Sequence, residues 1–437
     1  MHLALFFNGD GIHHGGWRHS SSQPGLDDVG FYCRLAQRAE DAKLDMLFIA
    51  DKLGIDDIYG GHFEATVRYR AVRAIEPITL LSALAVSTKK IGLGGTISTS
   101  YTEPYHTARM FASIDHLSGG RAAWNAVTSV SDAEARNFGR DEHYAHDVRY
   151  DRAEEYLDVV RKLWDSWGAE ATAPDKATGT YANAEHVRYV DHQGKWFRVR
   201  GPLNIARPPQ GHPVLIQAGA SGAFVDLAAR NAEVVFAVYP DFERARQGYR
   251  ELKDKVESHG RPRHAMKILP GLMPIVADTD AQAHELLREL DSLVTAESGL
   301  TFMSGSMNYD LAQHALDGPV PDIRDQIRGS KGRFQYVIGK AIEEGWTVRE
   351  LGRWYGSSLS FAKFVGSPDT VANEMERWVR EGAADGFVIM PSHMPEGANR
   401  FLSEVVPRLQ ERRAFRRDYE ADTLRGHLGL RIPQRGA

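Results

Sequence analysis

The chain of 437 residues contains a single cysteine, Cys33. One cysteine cannot form an intrachain disulfide, and it cannot complete a four-cysteine zinc site. Disulfide-stabilised secreted folds are therefore excluded, and we expect the protein to work in a reducing compartment.

Long apolar runs and clusters of one charge are also absent. No uninterrupted apolar segment approaches the roughly 20 residues of a membrane span. The opening MHLALFFNGD lacks the basic leader and apolar core of a secretory signal. The formal net charge is -5, with acidic and basic residues interspersed, whereas nucleic-acid surfaces are usually basic and clustered. We expect a cytoplasmic protein that binds a small molecule, and neither a nucleic acid nor a membrane.

What the sequence does contain is an alternation of short apolar runs with segments of helical period. Apolar strands between helices predict a parallel sheet buried on both faces, and eight strands are the number of a (β/α)8 TIM barrel, an α/β fold. A doubly wound open sheet has the same alternation and stays an alternative. The predicted strands are 3–7, 46–50, 91–96, 122–128, 214–218, 234–238, 268–276 and 387–390.

Two stretches, 169–213 and 296–366, do not follow this alternation. We interpret residues 1–437 as one barrel domain that carries both stretches as insertions. Insertions between a strand and a helix of a barrel usually cover the active site, so 296–366 is the candidate lid. The polar, basic tail 412–437 is expected to wrap the surface or a partner subunit.

Polar side chains follow the predicted strands where a TIM barrel has its active site. Asp51 follows the second strand, Thr96 ends the third, and Asn125 lies inside the fourth, in RAAWNAVTS. A buried amide without a partner costs about 1–3 kcal/mol. Either the fold satisfies Asn125 internally, or a ligand does so at the end of the strand.

Two segments have the features of anion-binding sites. In VLIQAGASGAF, Gly219 and Gly222 bracket Ser221 between a strand and a helix, where backbone N–H groups can bind a phosphate. In HDVRYDRAEEY, His146 and Tyr150 are four residues apart at a helix start and share one face. The alternatives are that Ser221 caps an ordinary turn and that His146 is incidental on a surface helix.

The N-terminal loop, NGDGIHHGGWRH, contains three histidines. Adjacent His13 and His14 would point to opposite sides of an extended chain, which suits one metal ion poorly. No HExxH motif accompanies them. We therefore predict no metal site, and a glycine-rich loop above the first strand with one imidazole facing the pocket.

Together these motifs resemble the bacterial luciferase-like superfamily, and in particular its nitrilotriacetate monooxygenase/pristinamycin synthase/dibenzothiophene-sulfone monooxygenase branch. The motifs that carry the resemblance run in order along almost the whole chain: FIADK, GLGGTIST, GRAAWNAVTS, ARNFG, HDVRYDRAEEY, QAGASGAF, FVGSPDTVANEM, GAADGFVIMP and TLRGHLGL. The resemblance implies a luciferase-like TIM barrel with insertions, usually a homodimer or homotetramer.

The resemblance also implies a two-component monooxygenase. Reduced FMN (FMNH2), supplied by a separate NAD(P)H-dependent flavin reductase, would react with O2 to give a C4a-(hydro)peroxyflavin that oxygenates a small organic substrate. One imidazole, of His13 or His14, would act as the catalytic donor to the peroxide oxygen or to the substrate. The cofactor-binding residues that the resemblance implies are Asp51, Thr96, Asn125, His146, Tyr150 and Ser221.

Other functions and the substrate stay open at this point. The alternatives are an F420-dependent oxidoreductase of the same superfamily, a flavoprotein that binds FMN without turnover and, more distantly, a metal-dependent barrel hydrolase. An anionic substrate would require basic side chains in the pocket, and an apolar one would require aromatic rings. The second insertion offers both kinds, namely Arg324, Arg328, Lys331 and Arg333 beside Phe334 and Tyr336.

Overall fold

The computed structural model of the protein describes residues 1–23, 28–219 and 222–435. Its core is a barrel of eight parallel strands. Strands β1 to β8 are His2–Phe6, Met46–Ile49, Gly92–Ser98, Ala122–Val127, Val214–Ala218, Val234–Ala237, Lys267–Val276 and Gly386–Ile389. Consecutive strands pair in parallel from β1 to β8, and β8 pairs with β1, so the sheet is closed and the open-sheet alternative is wrong. The TIM-barrel prediction is confirmed.

Side chains of the strands alternate between the barrel interior and the surrounding helices, as the pleat of a strand requires. Ala4 and Phe6 of β1 pack in one apolar cluster with Phe48 of β2, inside the barrel. Leu3 and Leu5 belong to the cluster that includes the outer helices. Burial on both faces explains why the strands read as continuous apolar runs rather than as alternating ones.

The interior leaves no room for a side chain at one position of β3. A Cβ atom on Gly94 would lie 3.0 Å from the carbonyl oxygen of Leu47 and 3.2 Å from Cδ1 of Ile216. The glycine therefore allows β2, β3 and β5 to approach one another around the barrel axis.

The helices begin where capping side chains satisfy the first backbone N–H groups. Asp28 caps α1, and Ser131 forms a capping box with Glu134 at α5. The sixteen α-helices of the described residues, α1 to α16, are Val29–Asp41, Glu64–Tyr69, Pro77–Ser87, Pro104–Ser118, Asp132–Arg136, His146–Trp164, Gly222–Asn231, Phe242–Ser258, Asp280–Ser292, Ala296–Met307, Lys331–Glu343, Val348–Ser358, Pro368–Arg380, Glu396–Arg400, Val406–Glu411 and Leu424–His427. Among them, no helix is both long and apolar enough to cross a membrane.

The first insertion contains short antiparallel strand pairs and one 3-10 turn, Ala184–His186, rather than α-helices. Strands Thr172–Asp175 and Thr180–Ala182 form one pair, and His192–Gln193 and Arg198–Val199 form the other. The second insertion carries α10, α11 and α12, and it ends in a strand that the sequence analysis missed. This strand, Ala362–Gly366, pairs in parallel with the C-terminal half of β7, from Leu272 to Val276.

Helices α10 and α12 of the second insertion pack in close contact. A Cβ atom on Gly299 would lie 1.9 Å from the carbonyl oxygen of Gly352. Only glycine allows the two backbones to approach so closely.

That the whole chain is a single domain stays a prediction.

Candidate active site

A cavity of about 500 Å³ lies at the carboxyl ends of the barrel strands, between them and the second insertion. This volume is in the range of small-molecule and cofactor sites, roughly 300–1,000 Å³. Two sets of residues surround it. The barrel wall comes from the strand ends and the segments that follow them, and includes Asn8, Asp51, Asp56, Arg70, Thr128, Ser129, His146, Arg149, Tyr150, Gly219 and Phe236; the insertion wall comes from 296–366 and includes Phe302, Ser306, Gly329, Ser330, Lys331, Gly332, Arg333, Leu359 and Phe361.

Asp51 lies on the barrel wall, as the sequence predicted for a polar residue after β2. Burial raises the pKa of its carboxyl group to about 6, and the nearby Glu76 and Glu134 add to the effect. A carboxyl group with this pKa changes its charge close to neutral pH, which is a property of functional sites as well as of some structural ones.

Asp56, also on the barrel wall, is buried in an ion-pair network. Its carboxylate accepts a short bond from Lys52 Nζ and one of 2.8 Å from Arg70. Burial alone would raise the pKa of Asp56, but the two cations hold it below its ordinary value. The sequence analysis missed this network, although Lys52 and Asp56 are spaced i, i+4 directly after β2.

Asn125 and Thr96 lie side by side on β4 and β3, and both are buried. Asn125 Nδ2 donates to Thr96 Oγ1 at 2.8 Å, and Thr96 Oγ1 donates to the carbonyl oxygen of Ile49 at 2.8 Å. Asn125 Oδ1 is buried and has no hydrogen-bond partner among the described residues. The fold thus satisfies half of this amide, and neither Thr96 nor Asn125 is among the residues that line the cavity.

Helix α6 directs its first turn at the cavity. His146 and Tyr150 both line it, with ring centroids 4.9 Å apart, as their spacing predicted. The N-cap residue, Ala145, has no side chain that could cap the helix. An N-terminus without an internal cap retains the partial positive charge that favours an anion. The first turn also carries one carboxylate, that of Asp147, which is exposed to solvent and lies 3.1 Å from His146 Nδ1.

The Ser221 turn lies outside the described residues, so the predicted phosphate role of Ser221 stays a prediction. On either side of the gap, Gly219 lines the cavity and α7 begins at Gly222.

The structure does not bring His13 or His14 to the cavity wall. Gly15 N–H donates to His13 Nδ1 at 3.2 Å, which leaves Nε2 to donate to Asp291 Oδ1 at 3.0 Å. Asp291 also accepts a short bond from Ser357 Oγ. This array joins the N-terminal loop to α9 and α12, so its geometry is that of a structural contact.

His14 is packed under the second insertion. Its backbone N–H donates to the carbonyl oxygen of Gly356 at 2.9 Å, and its ring lies 6.0 Å from that of Phe302. Burial holds the pKa of His14 well below its ordinary value. The catalytic role that the sequence assigned to one of these histidines gains no support from the geometry.

The histidine-rich loop does not form a metal centre in the described ranges. Within residues 1–23, 28–219 and 222–435, His, Cys, Asp and Glu side chains form no group of three or more that could hold a metal ion.

Comparisons with known proteins place these observations in context. A family model described as luciferase-like monooxygenase matches residues 2–385. The chain is 42% identical to dibenzothiophene-sulfone monooxygenase of Rhodococcus erythropolis strain XP over 441 residues, which is 99% of this chain and 97% of the relative. It is 42% identical to nitrilotriacetate monooxygenase component A of Aminobacter aminovorans over 440 residues, again 99% and 97%.

The fold is also similar to that of a solved structure over nearly the whole chain. A crystal structure of riboflavin lyase (RcaE), with modified FMN and its substrate riboflavin, superimposes with a TM-score of 0.90 at 30% identity. The match covers 99% of this chain and 96% of the lyase. The likeness therefore includes the second insertion as well as the barrel.

Proposed function

Because the chain belongs to the luciferase-like monooxygenase family, we propose that it is the oxygenating component of a two-component system, which uses reduced FMN and O2 to oxygenate a small organic substrate. The observation that carries the proposal is the convergence of Asp51, His146, Tyr150 and Gly219 on one cavity at the carboxyl end of the barrel. A separate NAD(P)H-dependent flavin reductase would supply the reduced FMN. Membership of the family confirms the resemblance that the sequence motifs indicated, and the chain is a flavin-dependent monooxygenase.

The donors at one end of the cavity fit the phosphate of FMN. Tyr150 contributes a hydroxyl group, His146 an imidazole, and α6 an N-terminus without a side-chain cap. Helix α7, which begins at Gly222, offers a second helix N-terminus for this phosphate. The phosphate would therefore lie between the starts of α6 and α7.

The unpartnered oxygen of Asn125 fits the polar edge of a flavin. This oxygen is buried inside the barrel mouth, and its amide is held in one orientation by the bond to Thr96. A buried acceptor without a partner costs about 1–3 kcal/mol, which a donor on a ligand would recover. Because neither Thr96 nor Asn125 lines the cavity, the proposal needs the flavin to reach past the cavity wall to this oxygen, whereas Asp51 would hold the flavin at the wall itself.

When bound, reduced FMN supplies the electrons with which O2 is activated. The protein supplies orientation and exclusion of water. Ile49, Val127 and Phe236 form an apolar floor from the barrel, and Phe302 and Phe361 close the other side. Asp51, with its raised pKa of about 6, can hold or release a proton at the cavity edge near neutral pH.

A titration under anaerobic conditions tests the proposal. Reduced FMN is titrated into the protein, and the loaded protein is then mixed with O2 in a stopped-flow absorbance instrument. We expect binding, followed by oxygen-dependent absorbance changes that a substrate accelerates. Binding without any oxygen-dependent reaction would instead indicate a flavoprotein without turnover, and failure to bind FMN would favour the F420-dependent alternative.

The Tyr150→Phe variant tests the phosphate end of the site. Removing one hydrogen bond should weaken FMN binding about fivefold, the equivalent of about 1 kcal/mol. Riboflavin, which lacks the phosphate, should bind both proteins equally. Fluorescence titration measures both affinities, and Tyr105→Phe, which lies outside the cavity, is the matched control. An unchanged FMN affinity would remove Tyr150 from the site.

The reductase can be tested separately by supplying reduced FMN chemically. If turnover then persists without any reductase, the reductase only delivers the flavin. A homodimer or homotetramer stays a prediction, which sedimentation of the purified protein would test.

A further inference from the structure

The start of helix α11 forms part of the insertion wall of the cavity. Residues 329–333, which include the first turn of α11, all line it. The N-cap residue, Ser330, makes no side-chain cap hydrogen bond, and the first turn contains no acidic residue. The partial positive charge of this helix end therefore faces the cavity without an internal anion to balance it.

Arg333 places a full positive charge at the same position. Its Nε donates to Ser360 Oγ at 3.1 Å, and a second nitrogen donates to the carbonyl oxygen of Leu359. Among the described residues, no carboxylate forms an ion pair with it, and its burial lowers its pKa. Both acceptors that it has are neutral, so its charge is not compensated by the protein.

Aromatic rings surround the guanidinium group of Arg333. Its central carbon lies 5.3 Å from the ring centroid of Tyr355, 5.4 Å from that of Phe361 and 5.7 Å from that of Phe334. Cation–π contacts of this kind hold the group in place, but they do not neutralise it. The rings instead restrict water around the charge, which strengthens its attraction for an anion.

A second guanidinium group flanks the same helix start from the α6 side. Arg149 is only 3% exposed, and its Nε is buried without a hydrogen-bond partner among the described residues. One of its terminal nitrogens donates weakly to the carbonyl oxygen of Gly329, at 3.4 Å. Two guanidinium groups that lack a carboxylate partner among the described residues thus lie on either side of the α11 N-terminus.

The other arginines of this segment behave differently. Arg324 is paired with Asp322 at 2.6 Å, and Arg328 is paired with Asp132 at 3.0 Å. Neither lines the cavity. Arg333 therefore differs from these two arginines in lining the cavity without a carboxylate partner among the described residues.

We propose that the substrate carries a carboxylate or sulfonate group, which binds Arg333 and the N-terminus of α11 while its carbon skeleton lies against Phe302 and Phe361. The inference rests on the proposed function, because it assigns the insertion wall to substrate and the starts of α6 and α7 to the flavin. Arg149 belongs to the first turn of α6 but contacts the carbonyl oxygen of Gly329 beside the start of α11, so it adds a second positive charge near the anionic group. Arg333 is in this view a specificity-determining residue, since a neutral substrate leaves its charge unbalanced.

Calorimetric titration of the protein saturated with oxidised FMN tests the inference, because the phosphate site is then filled. The probes are succinate and benzenesulfonate, each compared with a neutral counterpart, dimethyl succinate and benzenesulfonamide. We expect at least one anion to bind about tenfold or more tightly than its counterpart. If no anion binds more tightly than its counterpart, the inference is wrong.

Variants of Arg333 test whether the anionic probe binds at this residue. Arg333→Gln should weaken the anion about 10- to 100-fold and leave the neutral probe unchanged, since charge-assisted hydrogen bonds are lost. Arg333→Lys should give an intermediate loss, and it serves as the test if the glutamine variant does not fold. Arg324→Gln, a surface change in the same insertion, should have no effect. Equal anion affinity in the wild type and both Arg333 variants would overturn the assignment.

A flavin titration separates this inference from the proposed function. If the wild type fails to bind FMN at all, the proposed function fails, whatever the anion titration shows. If Arg333→Gln weakens binding of FMN but not of riboflavin, Arg333 holds the flavin phosphate and the substrate inference is wrong. We expect both flavins to bind the variant as they bind the wild type.

Discussion

The two walls of the cavity contain charges in different surroundings. On the barrel wall, Asp56 accepts hydrogen bonds from both Lys52 and Arg70. On the insertion wall, Arg333 meets neutral oxygens and aromatic rings, and no carboxylate of the described residues pairs with it. A charge that the protein itself compensates contributes to the fold, whereas an uncompensated one costs stability and is typical of a site for a ligand.

The largest expected change in stability is at Asp56, on the barrel wall. Asp56→Asn leaves Lys52 and Arg70 without their shared carboxylate, and breaking such a buried network costs about 3–5 kcal/mol of unfolding free energy. Urea denaturation measures the loss. Asp317→Asn, which breaks an exposed pair with Arg349, is the control and should change stability by less than about 1 kcal/mol. A loss for Asp56→Asn no larger than that of the control would contradict the contrast between the walls.

A smaller, pH-dependent effect is expected at Asp51. Its folded pKa of about 6 exceeds the ordinary value of 3.8, so ionising this carboxyl group opposes folding. The cost is absent below about pH 4, grows as the pH rises, and is present in full above about pH 6. Asp51→Asn should therefore gain about 1–3 kcal/mol relative to the wild type between pH 4 and pH 8.

Unfolding curves at the two pH values give this difference. Asp325→Asn, an exposed change outside the cavity, is the matched control. A relative stability of Asp51→Asn that does not change with pH would show that Asp51 ionises in the folded protein as freely as in the unfolded chain.

The smallest effect on stability is expected at Arg333. Arg333→Met removes an uncompensated, partly buried charge but also two hydrogen bonds. These changes oppose each other, so the unfolding free energy should stay within about 1 kcal/mol of the wild type. The same urea denaturation measures it. A loss as large as that of Asp56→Asn would mean that Arg333 is compensated after all, and the contrast between the walls would disappear.

Much of the fold was readable from the sequence, for reasons visible in single elements. The strand at Gly92–Ser98 and the capping aspartate of α1 are local signals, and local signals depend on neighbours in the chain. The strand Ala362–Gly366 was missed because its pairing with β7 is a long-range contact in a segment with mixed pattern. The pair of His13 with Asp291 was missed for the same reason, since 278 positions separate the two residues.

The sequence by itself indicated the alternation of strands and helices, because apolar periodicity is local, and its motifs indicated the family and, through that resemblance, Asp51, His146 and Tyr150 as members of one site. Closure of the barrel was decided by strand pairings between segments that are distant along the chain. Only the tertiary structure decided which basic residues of the second insertion face the cavity. Arg324 and Arg333 are nine positions apart and chemically identical, yet one lies beside Asp322 on the surface and the other within a ring of aromatic side chains. Charge compensation depends on distances between side chains in space, which the order of residues along the chain does not specify.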